Sequence, residues 1–123
     1  MPVIEIQALV AEPPDVAMLL ARTAEAVADA LGADVRGCWV TFREIAPGTY
    51  FEGGELRGVE DAAEVAPLVT IVVAAGRTAE QKARALRAVA AAVGEGLGTD
   101  PDNVFVEYRE IPAGHVHTGG QIR

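Results

Sequence analysis

The sequence predicts an α/β (α+β) protein in which tandem β-α-β repeats form a four-stranded mixed sheet with two helices on one face. A strand, helix and strand occur twice in the same order, and matching residues recur at a constant spacing of 66. Apolar residues also change from a period of two in the strands to a period of three to four in the helices. The 123 residues are predicted to form a single domain, with one unit at 1–54, a linker at 55–66 and a second unit at 67–120.

The first unit begins with a strand-like run at residues 2–9. A proline-rich turn follows, and Asp15 is placed to cap a helix whose apolar face continues until Gly32. β-Branched and aromatic residues at 38–45 predict the second strand. A short extended arm then ends in a pair of glycines at 53–54.

The second unit repeats this order after a charged linker that has no strong period. Residues 67–73 predict a strand, and Thr78 and Gln81 have the spacing of a capping box at the start of a helix. This helix ends at Gly98, and residues 103–111 predict the fourth strand. A second turn and a second pair of glycines complete the unit.

The repeat rests on residues that match at the 66-residue spacing. These pairs are Leu20 and Leu86, Val27 and Val93, Leu31 and Leu97, Val40 and Val106, Arg43 and Arg109, and Gly53 and Gly119. A right-handed helical crossover makes the two strands of each unit parallel. The sheet face without helices still carries Val, Phe and Trp side chains that this chain cannot cover, which predicts self-association.

Composition excludes several classes of function. The net charge of −8 argues against nucleic acid or an anionic membrane as a partner. The single cysteine, Cys38, excludes an intrachain disulfide and is expected to be a small buried apolar residue. His115 and His117 alternate along the terminal arm, where solvated side chains are favoured over a metal pair. No cofactor is expected, and the lack of a signal peptide or long apolar run predicts a soluble cytoplasmic protein.

Pro2 is the strongest candidate for a reactive group. If the initiator methionine is removed, Pro2 carries a free secondary amine at the start of a rigid strand. Such an amine loses its proton more easily when it is desolvated or lies beside a cation, so it can act as a base near neutral pH. Without that context, Met1-Pro2 is simply how the chain begins.

The second unit, from Pro67 through Gly76-Arg77-Thr78 and residues 104–111 to Gly119-Gly120, resembles a 4-oxalocrotonate tautomerase subunit. The first unit, which begins Met1-Pro2, resembles a more diverged copy. The whole chain therefore resembles a fused, two-unit member of the tautomerase superfamily. That superfamily also contains macrophage migration inhibitory factor, the chloroacrylic acid dehalogenases and malonate semialdehyde decarboxylase. The resemblance implies a tautomerase/MIF-like fold and a homotrimer.

The resemblance also implies roles for individual residues. Pro2 matches the catalytic proline, whereas the nitrogen of Pro67 is a tertiary amide and cannot be a base. Arg77 matches the arginine that holds a substrate carboxylate, and Glu12 is assigned to the same position in the first unit. Tyr50 matches the aromatic residue that closes the pocket. Only one of the two equivalent sites in each chain is therefore expected to be chemically competent.

The chain departs from the family pattern at a second arginine. Trp39 and Phe105 stand at that position in the two units, and they are expected to form an apolar wall around Pro2 together with Tyr50. Arg43 or Arg109 could replace the missing cation. The alternative for both arginines is an exposed or intersubunit ion pair with a neighbouring glutamate.

These residues predict a tautomerase or isomerase that uses Pro2 as a general base on a small keto or enol substrate bearing a carboxylate. A Schiff base at Pro2 is the related covalent option. One alternative is a non-catalytic trimeric ligand-binding or interaction protein of the same fold. The other is a decarboxylase or a hydratase-type, dehalogenase-like member, whose water-activating carboxylate would stand at Thr118 in the second unit or Glu52 in the first.

Overall fold

The computed structural model describes all residues from Met1 to Arg123. Its helices and strands are β1 (Val3–Ala8), α1 (Val16–Leu31), β2 (Trp39–Glu44), β3 (Tyr50–Glu52), β4 (Glu55–Arg57), β5 (Leu68–Ala74), α2 (Ala79–Leu97), β6 (Phe105–Ile111), β7 (His117–Thr118) and β8 (Gln121–Ile122). The four long strands form one sheet in the order β2-β1-β5-β6. The β1–β2 and β5–β6 pairs are parallel and the central β1–β5 pair is antiparallel, so the predicted mixed sheet is confirmed.

The antiparallel central pair sets the relation between the two units. Val3 lies opposite Val72, so the start of β1 meets the carboxyl end of β5. The backbone N–H of Trp39 donates to the carbonyl of Pro2 at 3.0 Å, and that of Phe105 donates to the carbonyl of Pro67 at 3.0 Å. Equivalent residues of the two units therefore lie at opposite ends of the sheet, which we call the Pro2 end and the Pro67 end.

The helix ends follow from local side-chain chemistry. The Asp15 carboxylate accepts a hydrogen bond from the backbone N–H of Met18, and Thr78 and Gln81 form the predicted capping box. Both helices end at a glycine with a left-handed backbone, Gly32 with φ 64° and Gly98 with φ 69°. A residue with a Cβ is strained in that conformation, so glycine is favoured at these two positions.

The helices end in register but begin at different points. Leu31 and Leu97 keep the 66-residue spacing, whereas α1 has 16 residues and α2 has 19. The turn between β1 and α1 is longer than the turn between β5 and α2 by the number of residues that α1 lacks. At this spacing Arg77 pairs with Ala11, so Glu12, which the resemblance placed there, is one residue out of register. Neither Ala11 nor Glu12 is a cation, so the first unit has no counterpart of the Arg77 guanidinium.

The core lies between the sheet and the two helices. Its fully buried members include Ile4, Ile6, Leu19, Val27, Val69, Ile71, Val89 and Val93. The opposite sheet face has no cover in this chain: Trp39 is 52% exposed and Phe105 is 59% exposed. Arg43 and Arg109 are exposed on the same face, as strand alternation predicts.

Each pair of glycines forms the turn of a short two-stranded hairpin. Gly53 and Gly54, with φ of 64° and 81°, form the turn between β3 and β4. Adjacent glycines in this conformation match the twist of a hairpin. The segment predicted to be a linker therefore starts with a strand, and a short 3₁₀ turn follows at Val59–Asp61. Neither helix is long and apolar enough to cross a membrane.

Candidate active site

Pro2 lies at the start of β1 and is almost completely buried, with less than 2% of its surface exposed. Its carbonyl is fixed by the hydrogen bond from Trp39, which aligns β2 beside it. The ring shares the helix-facing side of β1 with Ile4 and Ile6. Pro2 is therefore held rigidly, in an apolar environment.

Met1 lines a cavity of about 200 Å³ at the Pro2 end. The other walls come from the end of β5 and from the C-terminal arm, including Ala74, Val116 and Thr118. The Thr118 hydroxyl donates to the Met1 sulfur at 3.8 Å, a long contact. Because Met1 is bonded directly to the nitrogen of Pro2, loss of this residue would open the cavity toward that nitrogen.

Arg77 follows the carboxyl end of β5, next to the start of α2. Since β1 and β5 are antiparallel, Arg77 and Pro2 occupy the same end of the sheet within one chain. The Arg77 guanidinium makes one long hydrogen bond, from Nη1 to the carbonyl of Ala74 at 3.4 Å. It makes no ion pair with a carboxylate, so most of its donors are free for a ligand.

Sequence reasoning did not single out Tyr108, which feels the charge of Arg77, or its neighbours Lys82 and Glu110. Lys82, in the first turn of α2, forms an ion pair with Glu110 and lies 5.9 Å from the ring centre of Tyr108. The pKa of the Tyr108 hydroxyl is raised, mainly because the group is buried. Arg77 and Lys82 oppose this rise, and Glu110 adds to it. The hydroxyl is buried without a hydrogen-bond partner. The period of two along β6, which puts Tyr108 and Glu110 on the helix side, was the available signal.

Trp39 and Arg109 also lie toward the Pro2 end. Their strands flank the central pair, and the register aligns Trp39, Val3, Val72 and Arg109 in one row across the uncovered face. The Arg109 guanidinium donates to Glu107 at 2.7 Å. Arg109 thus forms the ion pair with a neighbouring glutamate that was the alternative to a role in substrate binding. Arg43 makes no ion pair and lies in the row that contains Phe105, nearer the Pro67 end.

Tyr50 and Phe105 lie at the Pro67 end. The Tyr50 hydroxyl donates to the carbonyl of Ala66 at 2.7 Å, and the backbone N–H of Phe105 donates to the carbonyl of Pro67. The antiparallel relation of the units carries both residues to the end of the sheet away from Pro2. One subunit therefore does not assemble the predicted wall of Trp39, Tyr50 and Phe105, and a contribution from Tyr50 or Phe105 to the Pro2 site would require a second copy.

A family model described as "Tautomerase enzyme" matches residues 38–115, which is more than half of the chain. The chain belongs to this tautomerase family. The match begins after Pro2, so membership does not depend on that residue. A probable tautomerase of Bradyrhizobium diazoefficiens is 40% identical over 55 residues, covering 45% of this chain and 82% of the relative.

The likeness to solved structures extends over nearly the whole chain. A native fused 4-OT is 28% identical, with a TM-score of 0.83, over 98% of this chain and 94% of the other. A second fused 4-OT, described as a symmetric trimer, is 25% identical with a TM-score of 0.84 and the same coverage. The fused, two-unit architecture expected from the repeat is thereby confirmed.

The cavity at the Pro2 end is not lined by Cys38, His115 or His117. Cys38 is partly buried against the core, and burial raises the pKa of its thiol. A raised pKa disfavours the reactive thiolate at neutral pH. His115 and His117 are both exposed on the C-terminal arm. Pro2 and Arg77 are two of the residues predicted from the sequence that the fold brings to one end of the sheet.

Proposed function

We propose that the protein is a tautomerase or isomerase that uses the amine of Pro2, freed by removal of Met1, as its general base. The substrate class is a small keto or enol acid whose carboxylate binds Arg77. The observation that carries the proposal is the common position of Pro2 and Arg77 at one end of the sheet, where Met1 lines a cavity. The two groups come from different units, and the antiparallel β1–β5 pair brings them to the same end of the sheet within one chain.

The chemistry requires one proton to be removed and one to be returned. The lone pair of the Pro2 nitrogen takes a proton from the carbon next to the substrate carbonyl, and the electrons of that C–H bond form an enolate. The resulting ammonium returns the proton at another carbon of the conjugated system. Burial and a nearby guanidinium both favour the neutral amine, so Pro2 suits this role near neutral pH.

Arg77 would orient the substrate by donating two parallel hydrogen bonds to its carboxylate. Charge-assisted bonds of this kind are stronger than neutral ones and fix the plane of the carboxylate. The guanidinium has free donors because it is paired with no carboxylate of the chain. Trp39 would contribute an apolar wall at this end, and Arg109 is a second cation that would have to leave Glu107 to reach a ligand.

The homotrimer belongs to the same proposal. Trp39 and Phe105 expose more than half of their surface on a sheet face that no element of this chain covers. Burial of such aromatic surface is a strong driving force for association. A second copy is also the means by which Tyr50 and Phe105 would reach a Pro2 site. The mass in solution, measured by light scattering, tests this assembly.

Two measurements test the proposed activity. The intact mass of the native protein should correspond to the chain without Met1. A mass that includes Met1 would rule out the mechanism, because the nitrogen of Pro2 would then be an amide and not a base. Phenylenolpyruvate and 2-hydroxymuconate are suitable probe substrates, and Pro2→Ala should be slower than the wild type on at least one. Equal rates for the two proteins would leave the non-catalytic, ligand-binding alternative.

A further inference from the structure

The cavity at the Pro2 end has a single charged side chain in its walls, that of Arg123. The other lining residues are apolar except for Thr118, and they include Ala74 and Ala75 at the end of β5. Arg77 comes after this wall in the chain and does not line the cavity itself. The Pro2 end therefore offers two guanidinium groups, one beyond the end of β5 and one on the C-terminal arm.

The register of the β7–β8 hairpin directs Arg123 toward the cavity. The backbone N–H of Arg123 donates to the carbonyl of Val116 at 2.7 Å, and the N–H of Val116 donates to the carbonyl of Arg123 at 3.2 Å. Two residues that exchange hydrogen bonds in this way are opposite each other, so their side chains lie on the same face of the hairpin. Val116 lines the cavity, and Arg123 therefore faces it from the same arm.

The Arg123 guanidinium lies on the part of the arm that contacts Met1, and it is free to bind a ligand. A Cβ atom at Gly119 would lie 3.7 Å from the Nη2 atom of Arg123. The residue before Gly119 is Thr118, whose hydroxyl contacts the Met1 sulfur. The Arg123 side chain is exposed and takes part in none of the four ion pairs of the chain. Its position comes from backbone hydrogen bonds, which a change of side chain leaves in place.

The reaction proposed for Pro2 creates a negative charge that Arg77 does not address. When the Pro2 nitrogen takes the proton, the C–H electrons form a carbon–carbon double bond and the carbonyl π electrons move to the oxygen. A donor aimed at this oxygen accelerates the step, because its hydrogen bond is stronger in the transition state than in the ground state. Arg77 is assigned to the carboxylate, and Arg109 is paired with Glu107. The oxygen therefore needs another cation.

We propose that Arg123 is a further catalytic residue, whose guanidinium donates a charge-assisted hydrogen bond to the substrate carbonyl oxygen and stabilises the enolate. No proton moves between Arg123 and the substrate. When the Pro2 ammonium returns its proton to carbon, the electron pair leaves the oxygen and the carbonyl forms again. The inference rests on the function proposed for Pro2, and it separates the two guanidinium groups: Arg77 binds the carboxylate, and Arg123 polarises the carbonyl.

The kinetic test compares Arg123→Gln, which removes the charge, with Arg87→Gln. Arg87 is exposed on α2 and lies outside the cavity, so it is a matched control. We expect Arg123→Gln to lower kcat about 10–100-fold with KM changed less than about threefold, on both phenylenolpyruvate and 2-hydroxymuconate. Arg123→Lys keeps the positive charge and should recover part of kcat. Arg87→Gln should leave both constants unchanged. A rise in KM with an unchanged kcat in Arg123→Gln would overturn the proposal.

Binding of oxalate, a planar mimic of the enolate of a 2-oxo acid, gives a readout that needs no turnover. Titration calorimetry on the native protein should show that Arg123→Gln weakens oxalate binding about tenfold or more relative to Arg87→Gln. Equal oxalate affinity and equal kcat in these two variants would overturn the role of Arg123. If Pro2→Ala is inactive in the same assays, only this inference fails. If Pro2→Ala is as active as the wild type, the proposed function fails, and the role of Arg123 fails with it.

Discussion

The two ends of the sheet share a backbone and differ in their chemistry. Each has a proline at the start of a central strand, with its carbonyl bonded to the first residue of the neighbouring edge strand. The Pro2 end adds Arg77 and a cavity lined by Met1. The Pro67 end adds the aromatic side chains of Tyr50 and Phe105 and a Glu52 carboxylate oxygen without a hydrogen-bond partner. The repeated fold supplies the geometry twice, and the side chains decide what each copy can do.

The largest expected effect comes from making Pro2 chemically equivalent to Pro67. An alanine inserted between Met1 and Pro2 keeps the proline but leaves its nitrogen in an amide bond after methionine removal. Loss of a general base lowers rates by about 10²–10⁴-fold, so we expect kcat to fall by that amount in the keto–enol assay. Pro67→Ala is the matched control and should keep kcat within about threefold, because its nitrogen is no base. A similar loss in both variants would contradict the division between the two ends.

The next effect comes from Arg77, because the equivalent position in the first unit is Ala11, which carries no charge. Arg77→Ala removes hydrogen bonds to a charged group, each worth about 1.5–3 kcal/mol, so kcat/KM should fall by roughly 10–100-fold. Ala11→Arg places a guanidinium at the equivalent position of the first unit. It should create no additional activity in a chain whose Pro2 is blocked, because Pro67 has no free amine. Activity in that double variant would refute the asymmetry.

The fold was largely predictable because it depends on local patterns. The caps at Asp15 and Thr78, the terminal glycines Gly32 and Gly98, and the period of two along the strands each act over a few residues. The β3–β4 hairpin was missed because Glu55–Arg57 has no hydrophobic period of its own. Its pairing depends on the turn at Gly53-Gly54, and adjacent glycines between extended residues were the signal that could have indicated it.

The site was less predictable because its geometry depends on how the two units pair. The 66-residue repeat identifies equivalent residues but does not specify that β1 and β5 are the strands that pair between the two units. That relation sends Tyr50 and Phe105 to the Pro67 end and brings Arg77 to Pro2. A one-chain sequence also gives no information on which residues a second copy brings to a pocket. Long-range pairing therefore limited the prediction more than local structure did.

Outside the site, the two units are expected to contribute equally to stability. Val27 in α1 and Val93 in α2 are 66 residues apart and both fully buried. Replacing either by alanine removes two buried methyl groups and leaves a small cavity, which costs about 2–3 kcal/mol. Chemical denaturation of the two variants measures this free energy of unfolding. A difference of more than about 1 kcal/mol would mean that one helix packs more tightly than the other.

The smallest effect separates a cap that only stabilises from one that also positions the site. Asp15→Ala and Thr78→Ala each remove an N-cap, so each should lower the free energy of unfolding by about 1 kcal/mol. Thr78 follows Arg77 directly, and its capping box with Gln81 fixes the first turn of α2. Thr78→Ala should therefore also raise KM by about two- to threefold with kcat nearly unchanged, since misplacement of Arg77 weakens carboxylate binding before it affects proton transfer. Thr78→Ser restores the hydroxyl and should return KM to the wild-type value. If Asp15→Ala changes KM equally, the effect arises from general destabilisation, and the cap at the Pro2 end has no special role.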